Sequence, residues 1–235
     1  MTIAAIVPVL NDTGPLTHCL ADLAVAQEAI EIHVVDGEDD PEARALCASR
    51  GAHYHRSPPG RAHQLNLGAA ATKADWLWFL HADTRISSAS INAILEHAAQ
   101  EQPSWGCFRH KIDHGSVALR VIERSANLRA RLGLPYGDQA LFVHTDLFRE
   151  AGGFPQEPIL EDLLLSKTLR KISRPHVLAP PVISSGRRWR NLGIARTTWR
   201  NWRILAMLLA GSRDTTRMAT LYHRHAGRPE TGRTS

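Results

Sequence analysis

The chain is poor in cysteine and has no long apolar run. Its three cysteines, Cys19, Cys47 and Cys107, are an odd number without metal-ligand spacing. They argue against a disulfide framework or a zinc site and predict buried free thiols in a reducing cytoplasm. No stretch reaches the roughly 18 apolar residues that a membrane-spanning helix needs. The first residues lack the basic segment of a secretory signal and predict a strand instead.

Two nucleotide-binding signatures are also missing. The GxGxxG fingerprint of dinucleotide-binding folds is absent, which argues against a dehydrogenase. The loop after the first strand, residues 11–15, contains no basic residue. A nucleotidyltransferase that forms sugar-nucleotides would normally carry a glycine-rich, basic loop there. That function is therefore kept only as an alternative.

Charge is unevenly distributed along the 235 residues, whose net charge is +5. From residue 185 to the end there are 11 arginines against two acidic residues, whereas the preceding part is slightly acidic. An arginine-rich end indicates an anionic partner, such as phosphates, acidic lipid head groups or nucleic acid. A non-enzymatic nucleic-acid binder is thus a second alternative, although it leaves the acidic motifs described below unexplained.

Strand and helix patterns alternate over the first 100 residues. This order predicts a doubly wound, mainly parallel sheet with flanking helices, because parallel strands need helical crossovers. The predicted strands are 3–9, 30–36, 53–56 and 76–80, and the predicted helices that follow them include 43–50, 61–72 and 90–100.

In the second half of the chain, strands and helices alternate less regularly, and the sequence predicts a helical extension after them. We expect one catalytic domain over 1–190, with a nucleotide-binding half at 1–100 and an acceptor half at 101–190. A basic amphipathic extension at 191–225 and a disordered tail at 226–235 follow. The predicted strands are 105–112, 139–144 and 176–183, and the predicted helices are 117–132, 163–171, 194–210 and 213–224.

Acidic residues end two of the apolar strands. Asp83 follows the run 76–80, and Asp36 follows 30–35. The carboxyl ends of parallel strands face the ligand in α/β sheets. Asp83 and His81, two residues apart on an extended chain, would form a modest site for Mn²⁺ or Mg²⁺ completed by diphosphate oxygens and water. A turn acid is the simpler alternative for each aspartate.

Two further motifs carry charge. Glu161-Asp162 opens a helix, where acids either satisfy the helix dipole or supply a general base, and spacing leaves both open. Arg187-Arg188, followed by Trp189, could stabilise a leaving diphosphate, with a solvated basic turn as the alternative.

Taken in order, these motifs resemble family-two glycosyltransferases with the GT-A fold. Within that family the sequence is most similar to the bacterial selenodomain-associated transferases. His81 stands where the first aspartate of the family's DXD metal motif belongs, and Asp12 replaces the usual glutamate of the first loop. The matching segments are Pro8-x-x-Asn11-Asp12, Asp36-Gly37, Gly60-Arg61-Ala62 with Gln64 and Asn66, His81-x-Asp83, Gly137-Asp138-Gln139, Glu161-Asp162 and Arg187-Arg188-Trp189.

The resemblance implies an inverting, nucleotide-sugar-dependent glycosyltransferase of the hexosyltransferase kind. Asp162, beside Glu161, would be the general base, and Asp83 with His81 would hold a divalent cation. Asp138 and Gln139 would lie on the acceptor side. The donor side would comprise Pro8, Asn11, Asp12, Asp36, Gly37, Arg61, Gln64, Asp83, Arg187, Arg188 and Trp189.

The partners expected are a nucleotide-diphosphate sugar and a hydroxyl acceptor, with no nucleic acid. We expect a cytoplasmic protein. The helix at 194–210 either packs on the catalytic body or lies on the inner face of a membrane, with a lipid-linked acceptor in the second case. The sugar, the nucleoside, the acceptor and the oligomeric state are left open by the sequence.

Overall fold

A computed structural model describes residues 1–100, 102–113, 116–186, 194–209 and 214–223. Seven strands form one sheet in the order β3-β2-β1-β4-β6-β5-β7. All neighbouring strands are parallel except that β6 runs antiparallel to β4 and β5. The predicted fold class, a mainly parallel sheet flanked by helices, is confirmed. The strands are β1 (Ile3–Val9), β2 (Ile30–Asp36), β3 (His53–Arg56), β4 (Trp76–Phe79), β5 (Trp105–Asp113), β6 (Phe142–His144) and β7 (His176–Ser185).

Helices cover both faces of the sheet. They are α1 (Thr13–Leu23), α2 (Pro41–Ser49), α3 (Arg61–Ala70), α4 (Ser88–Ala98), α5 (Val117–Arg131), α6 (Thr145–Glu150), α7 (Glu161–Ile172), α8 (Ile194–Leu209) and α9 (Thr215–His223). In these described ranges every helix is too short or too polar to span a bilayer.

The core has two layers because the central strands alternate between the two faces of the sheet. On β1, Ile3, Ala5 and Val7 pack with α1, α2 and α4. The intervening Ala4 and Ile6 pack with α3, α6 and α7 on the other face. Burial of both faces explains why β1, β2 and β4 are apolar almost throughout.

The strand predicted at 139–144 is shorter in the structure. Gly137–Gln139 form a 3-10 turn, and Ala140 adopts a left-handed conformation with φ of +50°. Strand β6 begins only at Phe142. This interruption brings Gly137 next to His81 at the carboxyl end of β4 instead of extending the sheet.

The C-terminal helices α8 and α9 pack on the body of the protein. Ile204 and Met218 are buried against Ile159 and Leu163 in a separate apolar cluster. The sequence left open whether this helix packs on the body, and in the structure it does. The predicted disordered tail at 226–235 lies outside the described residues.

Candidate active site

The carboxyl ends of β1, β2 and β4 form one edge of the sheet. Val9 pairs with Asp36 in the register of β1 and β2. The amide of Leu80 donates to the carbonyl of Ile6 at 3.0 Å, which continues the contact between β4 and β1. The loops that begin at Asn11, Gly37 and His81 therefore leave the sheet side by side.

Asp36 lies beneath this edge rather than on its surface. Its side chain is fully buried. Its carboxylate accepts hydrogen bonds from the amides of Glu38 (2.9 Å) and Asp40 (2.6 Å) and from the hydroxyl of Tyr54 (2.8 Å). Burial, reinforced by the bond to Asp36, raises the pKa of Tyr54. In this structure Asp36 shapes the loop that begins at Gly37.

Gln64 and Gly37 close the floor between the first two strands. The buried amide of Gln64 donates to the carbonyls of Val9 (2.7 Å) and Val35 (2.8 Å), at the carboxyl ends of β1 and β2. A Cβ at Gly37 would lie only 2.9 Å from Leu10 Cδ1. Both residues therefore keep the carboxyl ends of β1 and β2 and their loops close together.

The rim of the edge is formed by the first loop. Asn11 has a left-handed backbone, with φ of +54°, and its amide donates to Glu38 Oε1 at 2.7 Å. Both side chains are exposed, so this pair can face a ligand. Pro8 is half-buried within β1, and Asp12 occupies the N-cap position of α1. The sequence analysis did not predict Glu38 as a site residue, because no motif includes it. Its position directly after Gly37 is the one feature of the sequence that could have indicated it.

A second group of polar side chains meets beside the end of β4. Arg61 is the first residue of α3, after Gly60 with φ of +140°. Its Nε lies 2.8 Å from Glu161 Oε1, and its Nη1 lies 3.2 Å from His81 Nδ1. Its Nη2 contacts the other ring nitrogen of His81. One guanidinium thus joins α3, the β4 turn and α7.

Gly137 lies at the centre of this group. Its amide donates to Asp162 Oδ2, and a Cβ on it would overlap Arg61 Nη2 and lie 3.0 Å from Asp162 Oδ2 and 3.2 Å from His81 Nε2. Asp162 Oδ1 also accepts from the amide of Leu163 at 2.6 Å. Residues from the β4 turn, α3, α7 and the 3-10 turn therefore converge on one point.

The two adjacent acids of α7 occupy different environments. Glu161 is only 5% exposed. Burial raises its pKa to about 7, the charge of Asp162 adds to the rise, and Arg61 opposes it. Asp162 is half-buried and is held by two backbone amides. Neighbouring carboxyl groups in unlike surroundings can take different roles in proton transfer.

Asp83 lies on the α1 side of the β4 turn. Burial, then the charges of Asp22 and Asp83, raise the pKa of Cys19 on α1. Arg85 makes a bidentate contact with Asp22 at 2.7 and 2.9 Å, which fixes this turn against α1. Within the described residues no group of three His, Cys, Asp or Glu side chains is arranged to hold a metal. Any cation here would take few protein ligands.

Asp138 and Gln139 differ in accessibility. Asp138 is 39% exposed at its side chain, and its Oδ2 lies 3.8 Å from Nε2 of the buried His110, which also contacts Ser184 Oγ at 2.7 Å. Gln139 is fully buried and donates to the carbonyl of Phe108 at 3.3 Å. Asp138 can meet a ligand, whereas Gln139 supports the turn.

Three predicted site residues, Arg187, Arg188 and Trp189, lie outside the described residues. Their proposed contact with a diphosphate stays a prediction. The described part of the chain nevertheless brings the β4 turn together with the acidic pair of α7, which lies about 80 residues further along the sequence.

The strand order, with a single antiparallel β6 and an acidic carboxyl edge, defines a GT-A type fold. A family model described as glycosyl transferase family 2 matches residues 4–149. The chain belongs to this family. The matched range includes the first loop, Asp36, Arg61 and Asp83, but it ends before Glu161-Asp162.

Solved glycosyltransferase structures share the fold at low identity. S. aureus TarS 1-349 in complex with UDP-GlcNAc is 17% identical, with a TM-score of 0.63, over 79% of this chain and 58% of that one. The mannosyltransferase PcManGT from Pyrobaculum calidifontis, in complex with GDP-Man and Mn²⁺, is 15% identical (TM-score 0.60; 94% and 69% covered). The match with TarS 1-349 thus covers less than two thirds of the length of the TarS chain.

A third structure is similar over almost the full length of this chain. Glucosyl-3-phosphoglycerate synthase from Mycobacterium tuberculosis, with Mn²⁺, UDP and glucosyl-3-phosphoglycerate, is 15% identical, with a TM-score of 0.60. The match covers 98% of this chain and 82% of that one. A search of curated protein sequences found no significant match. At these identities the structural likenesses establish the fold.

Proposed function

We propose that the protein is an inverting glycosyltransferase that moves a sugar from a nucleotide-diphosphate sugar to a hydroxyl acceptor. The observation that carries this proposal is the convergence of His81, Arg61 and Asp162 around Gly137. It places a carboxylate beside the strand edge at which α/β proteins bind nucleotides. Family membership supplies the reaction class.

In the proposed donor site, the first loop and the loop after β2 hold the nucleoside. Asn11 and Glu38 supply exposed polar groups, while Asp36, Gly37 and Gln64 keep the loops in position. Pro8 and Asp12 belong to the same wall. The sequence predicted that Asp36 itself lies on the donor side. We instead assign it a supporting role, because its carboxylate already accepts hydrogen bonds from its own chain.

In the proposed reaction, Asp162 accepts the proton of the acceptor hydroxyl. The hydroxyl oxygen forms a bond to the anomeric carbon while the bond from that carbon to the diphosphate oxygen breaks on the opposite face. The electron pair leaves with the nucleoside diphosphate, and the configuration inverts. Arg61, with Glu161 fixing its Nε, stabilises the growing negative charge.

A divalent cation is part of the proposal. Structures of the similar mannosyltransferase and of the synthase contain Mn²⁺. Asp83 fits such an ion, since Mg²⁺ and Mn²⁺ bound with nucleotides need only one or two carboxylates besides phosphates and water. His81, also predicted as a ligand, instead faces Arg61 with both ring nitrogens. A bound cation would neutralise charge on the diphosphate.

The acceptor also belongs to the proposal. Asp138, half-exposed beside Gly137, would bind an acceptor hydroxyl. The structural likenesses favour neither a nucleotidyltransferase nor a nucleic-acid binder. Assignment to the selenodomain-associated subgroup still rests on the sequence motifs alone.

A thermal-shift screen of nucleoside diphosphates, with and without Mn²⁺, tests the donor site. A ligand at 100 times its dissociation constant should add about 2.7 kcal/mol of stability. We expect one nucleoside diphosphate to stabilise the protein more than its rivals do, and Mn²⁺ to increase that shift.

The variant Asp83→Asn should lose the Mn²⁺-dependent part, whereas Asp146→Asn, at an exposed position on α6, should keep it. A protein that no nucleoside diphosphate stabilises would contradict the proposal.

A further inference from the structure

Helix α8 has two different faces. Ile204 is 4% exposed and packs with Met207 in the cluster against α7. Trp199, Arg203 and Ala206, spaced by four and three residues, are exposed. Residues at this spacing share one side of a helix. The helix is therefore anchored through one side and presents another to the surroundings.

Trp199 is unusual among the exposed residues. It is 69% exposed and is the one aromatic side chain among the large apolar residues exposed in the described ranges. By contrast, Trp76, Trp78 and Trp105 are fully buried. Indole rings are favoured where one side is apolar and the other is wet, as at an interface or a head-group boundary.

The surroundings of Trp199 are basic. Arg203, four residues after Trp199 on α8, is exposed, and the sequence of α8 contains no acidic residue. Arg200 instead lies over the ring of Tyr222 on α9 and donates to its carbonyl. On the neighbouring α9, Arg217 is exposed. Apolar residues flanked by arginines are typical of helices that lie in the plane of a bilayer surface.

We propose that the outer face of α8, defined by Trp199, Arg203 and Ala206, docks on an anionic lipid surface. Charge decides between this partner and a second copy of the chain. A two-fold interface would bring like arginines together, because such an interface joins the same patch of both subunits. An acidic membrane surface has the complementary charge.

The position of the hairpin formed by α8 and α9 links this surface to the acceptor side. Its packed face contacts Leu163, the residue after Asp162, and Tyr136, the residue before Gly137. Docking would thus hold the acceptor side close to the bilayer, which suits an acceptor carried by a lipid. Vesicle binding itself does not depend on sugar transfer, so it can be measured whatever the reaction.

The test is co-sedimentation with vesicles of phosphatidylcholine alone and of phosphatidylcholine mixed with phosphatidylglycerol. We expect binding only to the anionic vesicles, weakening with added salt. Trp199→Ser should weaken it about tenfold. Arg203→Glu should weaken it about thirtyfold, since it removes one attractive charge and adds a repulsive one. The matched controls are Leu128→Ser and Arg120→Glu, both at exposed positions on α5.

Circular dichroism and the unfolding temperature of each variant show whether it is folded, which we expect because these side chains are exposed. Equal binding to neutral and anionic vesicles, no binding, or controls as weak as the α8 variants would overturn the proposal. So would a dimer in light scattering that Trp199→Ser converts to a monomer, since a second copy would then occupy this face.

Discussion

At the scale of single residues, the carboxylates of the site lie in different environments. Asp36 is enclosed by donors from its own chain, whereas Asp162 is half-buried at the meeting point of four segments. Glu161 is buried and compensated by Arg61. Burial and hydrogen bonding, rather than residue type, therefore decide which acid can accept a proton.

Replacing Gly137 tests the crowded centre of the site. We expect Gly137→Ala to fold but to lose at least about tenfold in transfer rate, because its methyl group would displace Arg61 or Asp162, and small misplacements are costly in catalysis. Steady-state kinetics measure this loss. Gly14→Ala is the control, since a Cβ there meets nothing within 4 Å. Equal rates for both variants would argue against the convergence.

Removing Arg61 should make stability depend more strongly on pH. Without the guanidinium, the pKa of buried Glu161 should rise further above its present value of about 7. The folded state then binds more protons than the unfolded state, so stability falls as pH rises. We expect Arg61→Gln to be little destabilised at about pH 6 and to lose about 2 kcal/mol near pH 9.

Urea denaturation at the two pH values measures this difference. Adding Glu161→Gln to Arg61→Gln should remove the extra pH dependence and restore that of the wild type without the contribution of Glu161. Arg149→Gln is the control, because its partner Asp146 is 74% exposed and such surface pairs contribute little. A loss that is the same at both pH values would show that Arg61 does not compensate Glu161.

At the scale of elements, apolar runs made the sheet predictable. The apolar runs of β1, β2 and β4 predicted strands, and the structure confirms them as strands that are buried almost throughout. The sequence could not predict the interruption of β6, because the left-handed conformation of Ala140 has no signal of its own. It also could not predict the role of Asp36, since its partner Tyr54 comes from β3, 18 residues away.

Helix α4 supplies a prediction about acid stability. Burial, with the charge of His176 adding, lowers the pKa of His97 to about 4. Its ring packs on Trp76 and Phe142. The unfolded chain binds the proton first, so stability should fall as pH drops from about 6.5 to about 4, by up to about 3 kcal/mol for this group.

Urea denaturation between these pH values checks the effect. The variant His97→Phe should have a flatter profile, because the ring contacts stay and the titrating group is gone. His18→Phe, at an exposed position on α1, is the control. The buried His33 and the half-buried His55, whose pKa values are also lowered by burial, should leave some pH dependence in every variant. An unchanged profile for His97→Phe would contradict the assignment.

At the scale of the whole molecule, a slightly acidic body is followed by a basic C-terminal part. The body brings the strand edge and the acidic pair of α7 together, and the hairpin of α8 and α9 packs beside that pair. The distribution of charge was evident in the sequence. The convergence was not, because it depends on the 3-10 turn at Gly137–Gln139.

The most direct test is the release of nucleoside diphosphate from the donor that the thermal-shift screen selects, measured for the wild type, Asp162→Asn and Asp146→Asn. If Asp162 removes the proton of the attacking hydroxyl or water, its variant should bind the donor normally but release product about 10²- to 10⁴-fold more slowly. Asp146→Asn should match the wild type. An Asp162→Asn variant with the full rate would contradict the proposed arrangement of acceptor and base.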